Sequence, residues 1–220
     1  MPKLFVAIEG IDGAGCSTQT EELKKRLERA GYKVRTTKEP TKGPIGKLIR
    51  AYLKKRGVRP EVYALLFAAD RLEDYLQNVE GADDATIVIS DRYIESSIAY
   101  QGASGVDVEW IETLNKFVTW PDVTIILDVD PEVSLARKGL RENERDVFEE
   151  AEFLSKVRRI FLERAKKKKY YVVDASQPLE KVAQKIFEIV VREIHKAEGE
   201  HDQEDRDQGS HSRVHFRKRN

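Results

Sequence analysis

The chain has few of the features that would direct its interpretation at once. It has one cysteine, which excludes an internal disulfide and a cysteine-rich metal cluster and favours a reducing compartment. Its 39 basic residues equal its 39 acidic residues, so bulk charge does not indicate a nucleic-acid partner. No apolar run approaches the ~20 residues that cross a bilayer, and no signal-peptide pattern is present. We expect a cytoplasmic protein without a membrane span.

The chain does have the length of one α/β domain, at 220 residues, and a charged fraction of 35% with a single methionine, a balance reported for proteins of hot environments. Helical or mixed segments separate five strand candidates, the first of which is a short apolar run that predicts a buried parallel strand. The candidates are 4–9, 34–37, 86–90, 123–129 and 171–173. The alternation predicts a three-layer α/β fold with a parallel sheet of about five strands flanked by helices.

The last periodic apolar pattern covers residues 179–194 and predicts an amphipathic helix that closes the domain near His195. Beyond it the chain has almost no apolar residues and is first acidic, then basic. We therefore expect a domain over residues 1–195 and a charged, disordered tail over 196–220. Binding of RNA or protein by this tail is an alternative, although its basic end holds only four Arg and Lys residues.

A glycine-rich segment, residues 10–17 (Gly-Ile-Asp-Gly-Ala-Gly-Cys-Ser), joins the first predicted strand to a predicted helix. This is the context of a phosphate-binding P-loop, in which backbone N–H groups and the helix dipole hold phosphate oxygens. Ser17 stands where such loops carry a Mg²⁺ ligand, but Cys16 stands where they carry a lysine. A tight turn without a ligand is the alternative. The expected nucleotide-binding residues are Gly10, Ile11, Asp12, Gly13, Ala14, Gly15, Cys16, Ser17 and Thr18.

The run 91–102 (Asp-Arg-Tyr-Ile-Glu-Ser-Ser-Ile-Ala-Tyr-Gln-Gly) directly follows a predicted strand and closely resembles the thymidylate kinase motif. For isolated residues, core packing would be favoured for Phe67 and a surface ion pair for Arg92. Their occurrence within five ordered motifs favours the family, and the resemblance covers residues 3–195. The other four motifs, in family order, are 39–40, 44–50, 66–71 and 127–131.

The resemblance implies a role for each matched substrate residue. Phe67 would stack on the thymine ring, and Arg71 would hydrogen-bond a base edge. Arg92 would hold the substrate phosphate in bidentate contact, which a lysine could not do. Tyr100 would lie under the deoxyribose and disfavour a 2′-hydroxyl. The expected substrate-binding residues are Glu39, Pro40, Arg50, Phe67, Arg71, Arg92, Ser97, Tyr100 and Gln101.

The family also implies metal and lid residues. Ser17 and Asp91 are the expected Mg²⁺ ligands, Asp91 through water, and Asp12 matches an acid that contacts the acceptor sugar or the metal. Residues 137–149 resemble the lid that closes over ATP, and a continuous helix there would place three arginines on one face unless Gly139 interrupts it. A solvated charged helix is the alternative. The expected catalytic residues are Arg137, Arg141, Arg145 and Asp12.

Some thymidylate kinases carry a catalytic arginine in the phosphate loop and others carry it in the lid. Gly13 occupies the loop position here, so the chain resembles the lid type. The implied activity is transfer of the ATP γ-phosphoryl group to dTMP with Mg²⁺, giving dTDP and ADP, in a homodimer. Two alternatives stay open: a kinase for another deoxynucleotide or deoxynucleoside, and a nucleotide-binding homologue with impaired turnover.

Cys16 is the residue on which the second alternative depends. A thiol supplies no cation, and a cysteine at a helix N-terminus tends toward a thiolate, which would repel phosphate. A nucleophilic role lacks a base, because all four histidines lie at or beyond residue 195. Three explanations stay open: a nearby Lys or Arg compensates for the missing lysine, the chain is an altered copy, or it binds nucleotides without rapid turnover. The arginine spacing favours a lid arginine as the compensating cation.

Overall fold

A computed structural model describes residues 3–137, Gly139 and 144–214, with side chains described over 3–137 and 149–199. Five parallel strands form one sheet in the order β2-β3-β1-β4-β5. They are β1 (Leu4–Gly10), β2 (Lys33–Lys38), β3 (Thr86–Asp91), β4 (Val123–Asp128) and β5 (Tyr171–Asp174). The predicted fold class is thereby confirmed, and each of the five predicted strands is present.

Helices follow every strand. They are α1 (Cys16–Arg29), α2 (Pro44–Leu53), α3 (Pro60–Asp74), α4 (Ile94–Ala103), α5 (Val108–Leu114), α6 (Pro131–Arg137), α7 (Glu144–Lys168) and α8 (Leu179–Val214). Proline occupies the first turn of α2 and of α3, where its missing N–H leaves no hydrogen bond unmade. A π-helical segment, Tyr75–Glu80, continues α3. None of the described helices is long and apolar enough to cross a membrane.

The strands bury alternate side chains on opposite faces of the sheet, which creates the three layers. In β1, Val6 and Ile8 pack into a core cluster with residues of α1, α7 and α8, whereas Phe5 and Ala7 pack into a second cluster with residues of α4 and α5. Every residue of β1 and β3 is buried, and each strand contains an apolar run (4–8 and 87–89), as is typical of central parallel strands covered on both faces.

Helix α8 extends farther than the sequence predicts. The expected end was near His195, with a disordered tail from 196, but the helix continues to Val214. The helix therefore extends beyond its expected end near His195, and the disorder expected over 196–220 stays a prediction. These residues include no proline, and many are Glu, Lys, Arg or Gln, which favour helix on intrinsic grounds even without an apolar face. The division of the chain at residue 195 stays a prediction.

Candidate active site

The functional residues collect at the carboxyl edge of the sheet, where parallel α/β folds bind ligands. Gly10 ends β1, Lys38 ends β2 and Asp91 ends β3, and these three strands are neighbours. Lys38 lies directly opposite Asp91 in the register of β2 and β3. Two cavities open at this edge, one on each side of Arg92 and Lys38.

The first cavity, of about 660 Å³, is built around the phosphate loop. Gly15 adopts a left-handed conformation with φ of 99°, and α1 begins at the next residue with no side-chain cap and no acidic residue in its first turn. The first-turn N–H groups of α1 are therefore available to an anion. The lining includes Ile11, Asp12, Gly13, Ala14, Gly15, Cys16, Ser17 and Thr18.

Gly13 is held against α6. Its φ is +83°, and a Cβ atom added to it would lie 2.5 Å from the carbonyl oxygen of Ser134. The Ser134 hydroxyl also donates a hydrogen bond to the Asp12 carbonyl oxygen. A side chain at position 13 would therefore require α6 to move.

Cys16 is buried, with 5% of its surface exposed, and packs into the core cluster under the loop. Burial raises the pKa of its thiol to about 12, outweighing the opposing effect of Arg92. The expected tendency toward a thiolate is therefore wrong for this site. The thiol is neutral and neither attracts nor repels phosphate.

Ser17 and Asp91 bring two oxygen ligands together at the loop. The Ser17 hydroxyl donates to Asp91 Oδ2 over 2.5 Å, and Asp91 is buried. Hard oxygen donors in this arrangement fit Mg²⁺, which usually takes one or two protein ligands and completes its shell with water and phosphate oxygens. In keeping with such a sparse set, the described residues contain no group of three or more His, Cys, Asp or Glu side chains able to hold a metal.

The second cavity, of about 270 Å³, lies between α3 and α4. All but one of the predicted substrate-binding residues line it. Those that do are Glu39, Pro40, Phe67, Arg71, Arg92, Ser97, Tyr100 and Gln101. The exception is Arg50, whose guanidinium donates to the carbonyl oxygens of Pro40 (3.0 Å) and Thr41 (2.6 Å) and so supports the cavity wall from behind.

Arg71 forms the floor of this cavity and is fully buried. It makes a two-pronged ion pair with Glu39, from Nε over 2.9 Å and from Nη2 over 2.5 Å, and it donates from Nη1 to Asn115 over 2.7 Å. Nη2 also contacts the Ser97 hydroxyl. Burial raises the pKa of Glu39, whereas Arg71 opposes that shift by stabilising the carboxylate. Most donors of Arg71 are committed to the protein, which fixes the guanidinium in place.

Gln101 presents an unpaired acceptor to the same cavity. Its Oε1 atom is buried and has no hydrogen-bond partner in the described part of the chain. A buried carbonyl oxygen without a donor is destabilising unless a ligand supplies one. Gln101 is therefore suited to accept a hydrogen bond from a molecule in this cavity.

Arg92 lies between the two cavities in a strained backbone conformation, with φ of 74°. Its guanidinium donates to the Gly10 carbonyl oxygen over 2.7 Å and to Asp12 Oδ1 over 2.7 Å. The same group lies 5.5 Å from the ring centre of Tyr100, whose hydroxyl accepts the Asp12 backbone N–H over 2.8 Å. One network thus joins the phosphate loop to the second cavity.

Arg137 and Arg145 do not share a continuous helix. Arg137 ends α6, Gly139 adopts a left-handed φ of 74°, and α7 begins at Glu144. Gly139 interrupts the helix because it readily adopts the left-handed conformation, which larger side chains disfavour. Arg137 lines the loop cavity and donates to the Ala175 carbonyl oxygen over 2.9 Å. Arg141 and the side chain of Arg145 lie outside the described residues.

Two residues of the site were not predicted from the sequence. Glu9 is buried beneath the loop, where its carboxylate accepts the Tyr93 backbone N–H over 2.9 Å and the Ser96 hydroxyl over 2.5 Å. A carboxylate inside an apolar strand, next to Gly10, was a visible signal. Lys38 reaches Ser17 and Asp91, with Nζ 2.5 Å from the hydroxyl and 2.8 Å from Oδ2. Sequence position alone carried no signal of that contact.

Comparison with known proteins identifies the family of the chain. The family model described as thymidylate kinase matches residues 8–186. A probable thymidylate kinase of Pyrobaculum aerophilum is 50% identical over 192 residues, which cover 86% of this chain and 97% of that protein. A probable thymidylate kinase of Pyrobaculum calidifontis is 46% identical, over 86% of this chain and 96% of that protein. One of Methanosphaera stadtmanae is 42% identical, over 82% and 93%. The chain belongs to the thymidylate kinase family.

Proposed function

We propose that the chain transfers the γ-phosphoryl group of ATP to dTMP, forming dTDP and ADP with Mg²⁺. One observation carries the proposal: two cavities of different character meet at Asp12, Lys38 and Arg92, which line both. Phosphoryl transfer requires chiefly that two nucleotides be positioned and that charge between them be neutralised. A cavity with free helix N–H groups beside one with aromatic and amide side chains meets that requirement.

The smaller cavity is the acceptor site in this proposal. Phe67 offers a face for the thymine ring, and the unpaired Oε1 of Gln101 is an acceptor for a base N–H. Tyr100, braced by the Asp12 backbone, would lie under the sugar and exclude a 2′-hydroxyl. Arg92 then presents its guanidinium to the monophosphate, with a fork that matches two phosphate oxygens.

The larger cavity is the donor site. The first-turn N–H groups of α1 would hold the β- and γ-phosphates, and Arg137 borders the same space. Ser17 and Asp91 would hold Mg²⁺, which supplies charge neutralisation at the phosphate oxygens when bound. Asp12 keeps Arg92 oriented toward the acceptor phosphate.

The comparisons do not support the alternative of a homologue with impaired turnover. That alternative rested on Cys16 alone, whereas the acceptor cavity is lined by eight of the nine residues that the resemblance implied. The relatives at 50% and 46% identity are named probable thymidylate kinases.

The test is ADP formation that depends on the acceptor. We expect dTMP to support turnover and to yield dTDP on chromatography, with dUMP poorer and thymidine inactive. Preference for thymidine or for another deoxynucleotide would replace the proposed substrate. Single-turnover measurements with saturating ATP separate binding from chemistry, so nucleotide binding without dTDP formation would contradict the proposal.

We propose a homodimer in the cytoplasm as the working form. Large apolar side chains are exposed on α3 and the segment that continues it, with Leu65 at 51% and Leu76 at 50%. Their burial against a second copy would remove apolar surface from water. Sedimentation equilibrium should give twice the chain mass, and a monomer at micromolar concentration would contradict the dimer.

Cell fractionation tests the proposed cytoplasmic location. The single free cysteine is compatible with a reducing compartment.

A further inference from the structure

The donor site lacks the cation that a phosphate loop usually carries at position 16. The Cys16 thiol is buried and neutral, so it contributes no charge. The described part of the chain nevertheless brings two cations to the boundary between the cavities, because Arg92 and Lys38 line both of them. Either could neutralise charge where the phosphoryl group is transferred.

Arg92 is already committed to the acceptor side. Its guanidinium is fixed by the Gly10 carbonyl oxygen, the Ser96 hydroxyl and Asp12. Those bonds leave the guanidinium positioned for the acceptor phosphate but restrict its movement toward the phosphates of ATP. Arg137 borders only the donor cavity and donates to a backbone carbonyl there.

Lys38 is exposed and flexible, unlike the fixed guanidinium of Arg92. Its side chain is 57% exposed, and its strand position fixes only the base of a long, unbranched stem. The ammonium already reaches the phosphate loop, where it contacts Ser17 in the first turn of α1 and the buried Asp91. It therefore stands at the end of α1 that binds anions, although it belongs to a different strand.

Ser17 and Asp91 are also the oxygens that fit Mg²⁺. With those oxygens engaged by a metal, the Lys38 ammonium needs another anionic partner, and bound polyphosphate would supply one in the same cavity. An exposed lysine can change partners in this way because its ammonium is a flexible point charge, unlike the fixed fork of Arg92.

We propose that Lys38 binds the phosphates of ATP in place of the lysine that position 16 lacks. The proposal rests on the proposed function, and it assigns the compensating charge to strand β2 instead of the lid. Lys38 contacts the transferring phosphoryl group as a catalytic residue. The lid arginines then act in addition to Lys38 and do not replace the missing lysine.

The first test measures nucleotide affinity without turnover. Calorimetric titration of ATP and of ADP, with Mg²⁺ and with chelator, compares the unmodified chain with Lys38→Met, Lys38→Arg and the matched control Lys33→Met. Lys33 begins the same strand and pairs with Asp83 at the surface. We expect Lys38→Met to weaken ATP binding ~10- to 100-fold with Mg²⁺ and less in chelator, where Asp91 still holds the ammonium. ADP binding should weaken less, and Lys38→Arg should rescue ATP binding in part.

Three outcomes of this titration would overturn the proposal. One is ATP affinity equal to that of the unmodified chain at every Mg²⁺ concentration. Another is a loss of ATP affinity that saturating Mg²⁺ abolishes, since Lys38 would then only neutralise Asp91. Loss of binding in the Lys33→Met control would likewise show that the strand, not the ammonium, is at fault.

The second test restores the usual lysine. Lys38→Met should lower kcat ~100- to 1,000-fold, as loss of one transition-state donor does, and adding Cys16→Lys should recover most of it. Cys16→Lys in the unmodified chain should raise kcat less than ~10-fold, because the charge is already supplied. A ~100-fold gain from Cys16→Lys alone, or no rescue in a double variant that circular dichroism shows to be folded, would refute compensation by Lys38.

Failure of the proposed function is distinguishable from failure of this inference. A chain that forms no dTDP but whose ATP affinity depends on Lys38 keeps the inference and loses the substrate assignment. If the Lys38→Met variant phosphorylates dTMP with full kcat and unchanged ATP affinity, the proposed function stands and the inference about Lys38 fails.

Discussion

The acceptor cavity and the phosphate loop handle charge in opposite ways. In the cavity, Arg71 is fully buried and locked by Glu39 and Asn115, so recognition is organised before any ligand arrives. At the loop, anions would meet backbone N–H groups and an exposed lysine, while the expected lysine is replaced by a buried thiol. In the proposed mechanism, specificity therefore comes from fixed side chains, whereas phosphate binding depends on backbone geometry and on a cation that can change partners.

The largest effect should come from breaking the fixed charge under the acceptor cavity. Arg71→Met leaves Glu39 buried without a counter-charge, which should lower the free energy of unfolding by about 3–5 kcal/mol. Adding Glu39→Leu removes that charge, so the double variant should regain much of the loss. Urea unfolding measures both. Equal stability of the single and double variants would mean that the pair does not organise this region.

Arg92 tests the junction between the two regions. Arg92→Ala should lower kcat/KM for dTMP ~1,000-fold, and Arg92→Lys ~100-fold, because lysine keeps the charge but loses the fork. Steady-state ADP release measures both. If Arg92→Lys matched the unmodified chain, a fixed planar donor would not be required and the contrast with Lys38 would fail.

Phe67 tests whether the acceptor side acts independently of the loop. Phe67→Ala should raise KM for dTMP ~10- to 100-fold, the range for loss of one base–aromatic stack, and leave KM for ATP unchanged. Glu61→Ala is the matched control, since Glu61 lies on α3 as well but pairs with Arg59 at the surface. A parallel rise in KM for ATP would show that the two cavities are coupled and weaken the comparison.

Glu9 gives the smallest predicted effect and reports on the packing beneath the loop. Burial raises the pKa of Glu9 from 4.5 to about 7, so the folded chain binds this proton more tightly than the unfolded chain does. The stability contributed by protonation is full below the unfolded pKa and is lost as pH rises through the folded one. From about pH 5 to about pH 8, the unmodified chain should lose about 1–2 kcal/mol relative to Glu9→Gln in urea unfolding. Parallel stability curves for the two chains would contradict this.

The fold could be predicted from the sequence because the signals for its strands and helices lie within single short segments. The three central strands, β1, β3 and β4, contain apolar runs between helical segments, and their buried positions in the sheet favour such runs. The end of α8 escaped prediction because a charged segment reads as solvated chain whether or not it is helical. Helical propensity without an apolar face was the only available signal.

The acceptor residues were predicted individually, but their mutual contacts were not. Glu39 and Arg71 were each expected to face the substrate, yet they bind each other across 32 positions of sequence. Lys38 and Ser17 are 21 positions apart, and their contact depends on how β2 aligns with β3. Pairings of this kind come from tertiary register, which a motif does not encode.

The contact between Gly13 and Ser134 limits the routes by which this enzyme could change. Loop-type relatives carry an arginine where this chain has Gly13, but here even a methyl group would collide with the backbone of α6. An arginine at position 13 would therefore require a displaced α6 as well as a new side chain. A substitution of Gly13 alone would distort the loop, so the new charge would be misplaced. The loop arrangement of the arginine thus cannot be reached from this chain by substitution at position 13 alone.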